Sequence, residues 1–501
     1  MDLQKLRNES DIRGIASEGI AGQEVNLTDE AVYRLAAGFF AWVQNRVQKN
    51  EIKIGVGRDS RISGPRVLEG IKKAAMDMGV ALYDTGLAST PAMFMSTITD
   101  GYLYDGAIMI TASHLPFNRN GMKFFVKEGG LESSDIKEVI AIAEKEAYAK
   151  GTGGNVTEID FMKVYSNILV DKIKEATGME MPLQGTKIVV DAGNGAGGFF
   201  AADVLAPLGA DVSASQFLEP DGMFPNHIPN PEDKEAGESI SKAVLAANAD
   251  LGIIFDTDVD RAGVVDPKGR VINRNRLIAL IGKIILEEHP KTTIVTDSTT
   301  SSGLAKFIQE SGGIHHRFKR GYKNVINEAV RLNEVGEDTW LAIETSGHAA
   351  LKENYFLDDG AYLVTKILIT MANMRKENKD MFTLIETLEE PVEAEEFRIN
   401  IKADDFGAYG KDVIAKISKL AEEDPRFTPA PVNHEGIRVS LDKEDGNGWF
   451  LVRMSLHDPL LPINVESDEV GGLKKIVALL YEVLQQFDAL DLTPIEAYLG
   501  K

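Results

Sequence analysis

Three carboxylates alternate in the segment DTDVDR, residues 256–261. Asp256, Asp258 and Asp260 follow the apolar run LGIIF, and alternate side chains of an extended chain lie on one face. Anions this close together repel one another unless a cation lies between them. Oxygen ligands suit Mg²⁺, which leaves coordination positions for phosphate oxygens. The segment therefore predicts a Mg²⁺ site with Arg261 as a neighbouring positive charge.

An acidic segment of this kind also occurs in calcium loops and on solvated surfaces. The calcium loop of an EF-hand carries Gly at its sixth position and Glu at its twelfth. This chain has Arg261 and Pro267 there, which excludes the calcium loop. A solvated acidic surface loop stays open as the alternative, although the apolar run before the segment disfavours it.

A possible nucleophile lies in TASHLPFNRNGMKFF, residues 111–125, after the apolar run GAIMI. A serine hydroxyl is a weak nucleophile and needs a base, a metal or a positive field. His114 and Lys123 could activate Ser113 in this way. By itself, however, a Ser–His pair is also what an ordinary surface turn contains.

Two further polar loops follow predicted strands. GEDTWLAIETSGH carries Glu344, Ser346 and His348, which offer an acceptor carboxylate, a hydroxyl and an imidazole to sugar hydroxyls. WFLVRMSLHDP carries Arg453 and Ser455, and a guanidinium with a hydroxyl can hold a phosphate in two directions. A solvated loop and a structural salt bridge are the respective alternatives.

The elements that position these loops recur three times along the chain. An apolar run ends in Asp and leads into a helical stretch, and a second run then ends in a polar loop. The marker aspartates are Asp59, Asp191 and Asp297, and the loops carry Ser113, Asp256 and Glu344. Such alternation predicts parallel sheets, whose ligands bind beyond the carboxyl ends of strands. We therefore predict an α/β fold of three similar units with mixed, largely parallel sheets around a central cleft.

The segment from about residue 390 differs from these units. EFRINIKADD and GIRVSLDKEDGNGWFLVRMSL read as strands, with a hairpin turn at DGNG. DEVGGLKKIVALLYEVLQQF reads as an amphipathic closing helix. This pattern predicts a C-terminal α+β domain that could act as a lid. The predicted domains are 1–154, 155–268, 269–387 and 388–501.

Composition narrows the possible partners. The 501 residues carry a net charge of −23, which would repel nucleic acid and anionic membranes, so we expect neither as a partner. The chain has no Cys, which excludes disulfides and thiolate metal sites. The first residues lack a signal pattern, and no apolar run reaches the ~18 residues of a membrane helix. A cytoplasmic monomer or homodimer is expected.

The complete strings resemble the α-D-phosphohexomutase family. TASHLP…NRNGMK resembles its phosphoserine loop, with Leu115 where the family has Asn. DTDVDR matches the metal loop without departure, and ETSGH matches the sugar loop of the phosphomannomutase/phosphoglucomutase branch. RMSLHDP resembles the phosphate loop R-x-S-x-T-E-P, with His457 and Asp458 replacing Thr and Glu. SDIRG and RGYKN also stand at family positions.

The resemblance implies a phosphosugar mutase that interconverts hexose 1-phosphate and hexose 6-phosphate, of mannose, glucose or both. Ser113 would carry a phosphoryl group, and a hexose 1,6-bisphosphate would be both intermediate and activator. Mg²⁺ would be bound by Ser113, Asp256, Asp258 and Asp260, and catalysis would involve Ser113, His114, Lys123 and Arg261. The general base would be Lys123 or His348. The implied substrate-binding residues are Arg13, Gly321, Tyr322, Lys323, Glu344, Ser346, His348, Arg453 and Ser455.

Three rival functions stay open. A phosphoglucosamine mutase is the nearest, although that branch usually reads E-Q-S-G-H and this chain has Thr345. A non-catalytic sugar-phosphate-binding relative is the second. The third is an NAD-dependent oxidoreductase, because Gly193, Gly195 and Gly198 form a G-x-G-x-x-G pattern after an apolar run. A tight turn between a strand and a helix is the favoured explanation of these glycines, because the corresponding turns of the other two units lack them.

Overall fold

The computed structural model describes residues 2–455 and 458–501. The chain divides into two compact units, Met1–Leu277 with Ser346–Thr383 and Ile278–Thr345 with Leu384–Lys501. His457, one of the two departures in the phosphate loop, lies outside the described residues. None of the helices within the described ranges is long and apolar enough to cross a membrane.

The first unit begins with a mixed eight-stranded sheet. Its strands are β1 Arg7–Asn8, β2 Asp11–Ile15, β3 Lys53–Arg58, β4 Ala81–Leu87, β5 Gly106–Ile110, β6 Arg119–Val126, β7 Gly129–Gly130 and β8 Asn155–Glu158. The order is β1-β2-β6-β5-β3-β4-β8, with β7 paired to β6 and with β8, β4, β3 and β5 parallel. Every residue of β5 is buried, as expected for a central strand covered on both faces. The helices are α1 Asp29–Val47, α2 Gly64–Met78, α3 Thr90–Ile98 and α4 Ser133–Lys145.

A second sheet in the first unit has four strands in the order β12-β11-β10-β9. The strands are β9 Ile188–Asp191, β10 Leu251–Phe255, β11 Ala262–Val265 and β12 Val271–Ile272, and β9 and β10 are parallel. The helices of this segment are α5 Phe161–Thr177 and α6 Lys234–Ala247, with a π-helical turn at Phe200–Leu205.

The third segment contains α7 Arg274–Glu288, α8 Ser302–Glu310, α9 Tyr322–Glu334 and three parallel strands. The strands are β13 Thr293–Asp297, β14 Ile314–Phe318 and β15 Thr339–Ile343, with β13 in the middle. These strands belong to the second unit, whereas β16 Ala349–Leu351 and α10 Gly360–Lys376 belong to the first. Single 3₁₀ turns lie at Leu3–Leu6, Ala206–Leu208, Lys352–Asn354 and Met381–Ile385.

The C-terminal segment forms an antiparallel sheet in the order β18-β19-β20-β21-β17-β22. Its elements are β17 Glu393–Ile401, α11 Phe406–Glu423, β18 Thr428–Pro429, β19 Ile437–Leu441, β20 Gly448–Val452, β21 Leu460–Ser467, α12 Gly472–Leu484, β22 Leu490–Asp491 and α13 Thr493–Leu499. Gly446 and Asn447 adopt positive φ in the hairpin turn between β19 and β20. The predicted hairpin and the predicted closing helix are therefore both present.

The repeated pattern corresponds to one arrangement of paired strands. β3 pairs with β5, β9 with β10 and β13 with β15, each time in parallel. Each marker aspartate therefore ends, or directly follows, a strand adjacent to the one before the functional loop. The prediction of three α/β segments with mixed sheets and a different C-terminal segment is confirmed.

The segment DVSASQFLEP, residues 211–220, reads as a strand in the sequence, but the structure, which describes all of these residues, has no regular strand there. Only Asp211 and Gln216 make isolated bridges in this run. Side chains take the place of a regular ladder, because Val190 N donates to Ser215 Oγ at 3.0 Å and Ser213 N donates to Asp211 Oδ1 at 3.0 Å. Short polar side chains compete with the backbone in this way and interrupt strands.

Candidate active site

Ser113 lies in the loop that follows β5, three residues beyond the last strand residue. It is buried, with 4% of its surface exposed, and has φ of +50°. Its backbone N–H donates to Thr111 Oγ1 at 2.9 Å. A left-handed conformation is uncommon for a residue other than Gly and marks a constrained position.

The hydroxyl of Ser113 is surrounded by charged partners. Ser113 Oγ donates to Asp256 Oδ2 at 3.1 Å and accepts from Arg261 Nη2 at 3.0 Å. Arg261 Nη2 also donates to His114 Nδ1 at 2.6 Å. Burial, together with the positive charge of Arg261, lowers the pKa of His114 to about 3. The His114 ring is therefore neutral and accepts a hydrogen bond, while Arg261 supplies the positive field.

The acidic loop after β10 is the centre of a potential cation site. Carboxylate oxygens of Asp256, Asp258 and Asp260 lie within 4.8 Å of one another, and all three residues are buried. Lys123 Nζ donates to Asp258 Oδ2 at 3.0 Å and also to Asp260 Oδ2. Among the described residues, Asp258 Oδ1 and Asp260 Oδ1 have no hydrogen-bond partner. Buried anionic oxygens without donors fit a cation, and oxygen donors fit Mg²⁺.

Val259, between two of these aspartates, adopts φ of +66° although it is β-branched. Such a conformation costs of order 1–3 kcal/mol and persists only where the surroundings hold it. Val259 is fully buried, and its carbonyl accepts from Gly360 N at 3.1 Å. The turn between Asp258 and Asp260 is thus held by packing rather than by residue preference.

His348 is also part of this group. Its Nδ1 lies 2.5 Å from Asp358 Oδ2, and its backbone forms a bridge with that of Arg261. Burial by itself would lower the pKa of His348, but Asp358 and Asp260 together raise it to about 9. Arg13, placed by β2, pairs with Asp11 at 3.0 Å. Ser346 is buried in the same unit.

The glycine-rich segment at residues 193–198 packs closely against the acidic loop. A Cβ at Gly195 would lie 2.7 Å from Thr257 O, and Ala196 N donates to that carbonyl at 2.8 Å. A Cβ at Gly198 would lie 2.6 Å from Leu218 O. Close backbone packing therefore accounts for the glycines that resemble a dinucleotide fingerprint.

The remaining predicted residues lie in the second unit. Gly321 N donates to Glu344 Oε1 at 2.6 Å, and Tyr322 and Lys323 begin α9 directly after Gly321. Arg453 follows β20 and is 8% exposed, and its Nε has no hydrogen-bond partner in the described structure. Ser455 Oγ accepts from Asp458 N at 3.3 Å.

A cavity of about 360 Å³ lies beside these loops within the second unit. Its polar lining comes mainly from Lys319, Arg320, Lys411 and Glu435. Arg320 N donates to Glu435 Oε1 at 3.0 Å. The lining of this cavity, which includes Met454 next to Arg453, therefore carries both basic and acidic side chains.

Several residues of the site were missed from sequence. Thr90 N donates to Asp258 O at 2.8 Å, and Asp358 engages His348. No spacing signal pointed to either residue. Asp59 was noted only as a repeat marker, yet it accepts from Thr111 Oγ1 at 2.8 Å and so belongs to the network beneath Ser113. Arg61 belongs to the same network.

A serine hydroxyl held by a guanidinium beside an acidic cation site gives the first unit the components of a phosphotransferase. Family models for the phosphoglucomutase/phosphomannomutase α/β/α domains I, II and III match residues 4–150, 164–269 and 273–391. The chain therefore belongs to the phosphoglucomutase/phosphomannomutase family of α-D-phosphohexomutases. The finer domain boundaries expected near residues 154, 268 and 387 stay predictions.

Similar proteins cover nearly the whole chain. A phosphoglucomutase of Neisseria meningitidis is 31% identical over 93% of this chain and 94% of its own. A phosphomannomutase/phosphoglucomutase of Pseudomonas aeruginosa is 29% identical over 96% of this chain and 95% of its own. The crystal structure of a phosphoglucomutase/phosphomannomutase family protein from Burkholderia thailandensis matches with a TM-score of 0.77 and 26% identity, covering 97% of this chain and 98% of that one.

Proposed function

We propose that this chain interconverts the 1-phosphate and 6-phosphate of mannose, glucose or both, through a phosphorylated Ser113 and a hexose 1,6-bisphosphate. The observation that carries the proposal is the placement of Ser113 Oγ between Asp256 Oδ2 and Arg261 Nη2, at 3.1 and 3.0 Å. The two relatives described above, 31% and 29% identical, are named phosphoglucomutase and phosphomannomutase/phosphoglucomutase.

Ser113, Asp256, Asp258 and Asp260 would hold the Mg²⁺ ion. When bound, the ion would neutralise charge on the phosphoryl oxygens during transfer. Arg261 contributes its guanidinium at Ser113 Oγ, where the phosphoryl group is attached. Lys123 balances the charge of Asp258 and Asp260. Positioning and charge stabilisation of this kind supply most of the catalysis in phosphoryl transfer.

Proton transfer is assigned to His348, whose pKa is raised to about 9, so that the ring is protonated at neutral pH and must release its Nε2 proton before it can accept one from the sugar. Lys123 donates to two carboxylates, which favours its charged form and a role in charge balance. Asp358 engages Nδ1 of His348, so Nε2 is the nitrogen that would exchange a proton with the sugar hydroxyl. In the first transfer the sugar oxygen bonds to phosphorus as the bond between phosphorus and Ser113 Oγ breaks, and the proton of the sugar hydroxyl ends on Ser113 Oγ. In the second transfer Ser113 Oγ bonds to the other phosphorus as the bond from that phosphorus to the sugar oxygen breaks, and the proton ends on the sugar oxygen.

The other proposed substrate contacts come from predicted residues outside the Ser113 loop and the acidic loop. Arg453 and Ser455 would hold the phosphate that is not transferred, and Glu344 would accept from sugar hydroxyls. Arg13, Gly321, Tyr322, Lys323 and Ser346 complete the proposed contacts. Because the phosphate and the reacting hydroxyl exchange ends between the two transfers, Arg453 must hold a phosphate in both orientations.

Parallel turnover assays with the 1-phosphates of glucose, mannose and glucosamine test this function. We expect conversion of the glucose or mannose compound, dependent on Mg²⁺ and stimulated by a hexose 1,6-bisphosphate. Preference for glucosamine 1-phosphate would show the rival mutase function. Binding of all three compounds without turnover would show a non-catalytic relative.

A further inference from the structure

Arg61 is a fully buried cation that lies two residues beyond the marker Asp59. Its side chain has no exposed surface, so each of its donors needs a partner inside the protein. A guanidinium presents its donors in a fixed planar fork, and its partners therefore have to lie in fixed directions. The identity of these partners decides what Arg61 does.

All four carbonyl partners of Arg61 belong to the loop that carries Ser113. Nη1 donates to Pro116 O at 2.8 Å and to Arg119 O at 3.0 Å. Nη2 donates to Leu115 O at 2.6 Å and to Ser113 O. The loop is thus folded around one planar group, and the carbonyl of the nucleophile is one of the four attachments.

The backbone N–H of Ser113 is also held in place, through a chain of hydrogen bonds that leads to Asp59. Ser113 N donates to Thr111 Oγ1 at 2.9 Å, and Thr111 Oγ1 donates to Asp59 Oδ2 at 2.8 Å. Asp59 Oδ2 also lies 3.2 Å from Arg61 Nε, and Asp59 Oδ1 accepts from Arg61 N at 2.9 Å. Both backbone polar groups of Ser113 therefore trace back to Asp59, one through Thr111 and one through Arg61.

This double attachment accounts for the conformation of Ser113. A φ of +50° in a residue other than Gly persists only where the surroundings over-determine it. Holding the N–H and the carbonyl of one residue fixes its peptide planes, and with them the direction of Cβ and Oγ. We propose that Arg61, oriented by Asp59, is a positioning residue that sets the place of Ser113 Oγ for phosphoryl transfer.

This inference rests on the proposed function and adds to it a residue that none of the sequence motifs singled out. In-line transfer tolerates little displacement, and an error of about 1 Å can cost about 10²-fold in rate. Lysine at position 61 keeps the charge but cannot serve four carbonyls in one plane. Arg61→Lys should therefore lower kcat about 10²-fold while KM for the sugar phosphate changes by less than about threefold.

Arg66→Lys is the matched control. Arg66 also donates to backbone carbonyls of the first unit, those of Ala16 and Leu27 at 2.8 Å each, but neither belongs to the Ser113 loop. Both variants are measured with circular-dichroism melting, so that kcat refers to folded molecules. A fall in kcat in Arg61→Lys, with kcat retained in Arg66→Lys, supports the inference.

A second pair of variants keeps the test decisive if Arg61→Lys does not fold. Thr111→Val removes the acceptor for Ser113 N, whereas Thr111→Ser retains it, so only the valine variant should lose kcat at unchanged KM. Wild-type kcat in folded Arg61→Lys or in Thr111→Val, or an effect confined to KM, would overturn the inference alone. A wild-type chain without turnover on any hexose phosphate would overturn the proposed function as well.

Discussion

The buried polar atoms without hydrogen-bond partners differ in sign between the loops of the two units. In the acidic loop of the first unit they are carboxylate oxygens, Asp258 Oδ1 and Asp260 Oδ1. In the second unit, within the described ranges, such an atom is the guanidinium nitrogen Arg453 Nε, directly after β20. Unpaired buried acceptors are satisfied by a cation and unpaired donors by an anion. The acidic loop of the first unit could therefore hold a metal ion, and Arg453 in the second unit offers the kind of donor that the proposed phosphate contact requires.

The two sets of loops are nevertheless anchored by the same means. Arg438 Nη1 donates to Ser298 O at 3.1 Å and to Thr300 O at 2.9 Å, in the loop directly after Asp297. Asp297 Oδ2 accepts from Thr345 N at 2.6 Å, as Asp59 accepts from Thr111. A marker aspartate thus holds the functional loop in both units, whereas Arg438 holds the loop that directly follows its marker aspartate. The difference lies in the atoms that these loops leave for a ligand.

Replacement of the nucleophile should have the largest effect. Ser113→Ala removes the oxygen that carries the phosphoryl group, so kcat should fall at least about 10⁴-fold with the fold retained. Ser96→Ala is the control, because Ser96 is buried in the same unit and its hydroxyl donates to Met93 O, at 2.6 Å, within its own helix α3. Mass measurement after treatment with a hexose 1,6-bisphosphate should show a phosphoryl adduct that the Ser113→Ala variant lacks. Substantial turnover in the variant would refute the phosphoserine scheme.

The cation side of the comparison is tested at Asp258. Asp258→Asn replaces an anionic ligand by a neutral amide, and we expect Mg²⁺ affinity measured by titration calorimetry to fall about 10²-fold. Asp266→Asn is the control, since Asp266 is also buried but pairs with Arg270 at 3.0 Å, outside the acidic loop. Equal Mg²⁺ affinity in Asp258→Asn and wild type would place the metal elsewhere.

The anion side is tested at Arg453. Arg453→Lys retains the charge but loses the fork, and the loss of one charge-assisted hydrogen bond should raise KM for both sugar phosphates about tenfold. Mg²⁺ affinity should stay at the wild-type value, because the acceptors of the first unit are intact. Arg398→Lys is the control, since Arg398 is exposed and pairs with Glu396. A loss of Mg²⁺ affinity without a change in KM would break the assignment of opposite roles to the two units.

The sequence predicted where the strands end better than it predicted the hydrogen-bond network that holds the loops after them. Asp59, Asp191 and Asp297 were recognisable because each closes an apolar run, and the parallel pairing of strands then placed the loops. Arg61 and Asp358 gave no such signal, because their partners are backbone carbonyls and a histidine that only the folded chain brings near. The strand predicted at residues 211–220 was wrong for a related reason, since the Ser215 hydroxyl there accepts the hydrogen bond of Val190 N in place of a backbone carbonyl.

Within the first unit, a smaller contrast separates two marker aspartates. Asp59 pairs with the permanently charged Arg61, whereas Asp191 pairs with His227, whose Nε2 lies 3.0 Å from Asp191 Oδ1. Burial would lower the pKa of His227, but the hydrogen bond and the charge of Asp191 prevail and raise it. The folded state therefore binds this proton more tightly than the unfolded state does. The stabilisation is complete below the ordinary histidine pKa of about 6.5 and is lost as pH rises through the higher folded-state value.

His227→Gln should consequently lower the unfolding temperature most at pH 5.5, and the difference from wild type should narrow by about one or two degrees by pH 8.5. Scanning calorimetry at several pH values measures this change, and His289→Gln, in the second unit, controls for the loss of an imidazole that stacks on Trp340. A wild-type advantage that widened with pH would mean that Asp191 does not hold the His227 proton. Asp191 would then position the glycine loop as a plain hydrogen-bond acceptor, through the bond it accepts from Gly193 N at 2.9 Å.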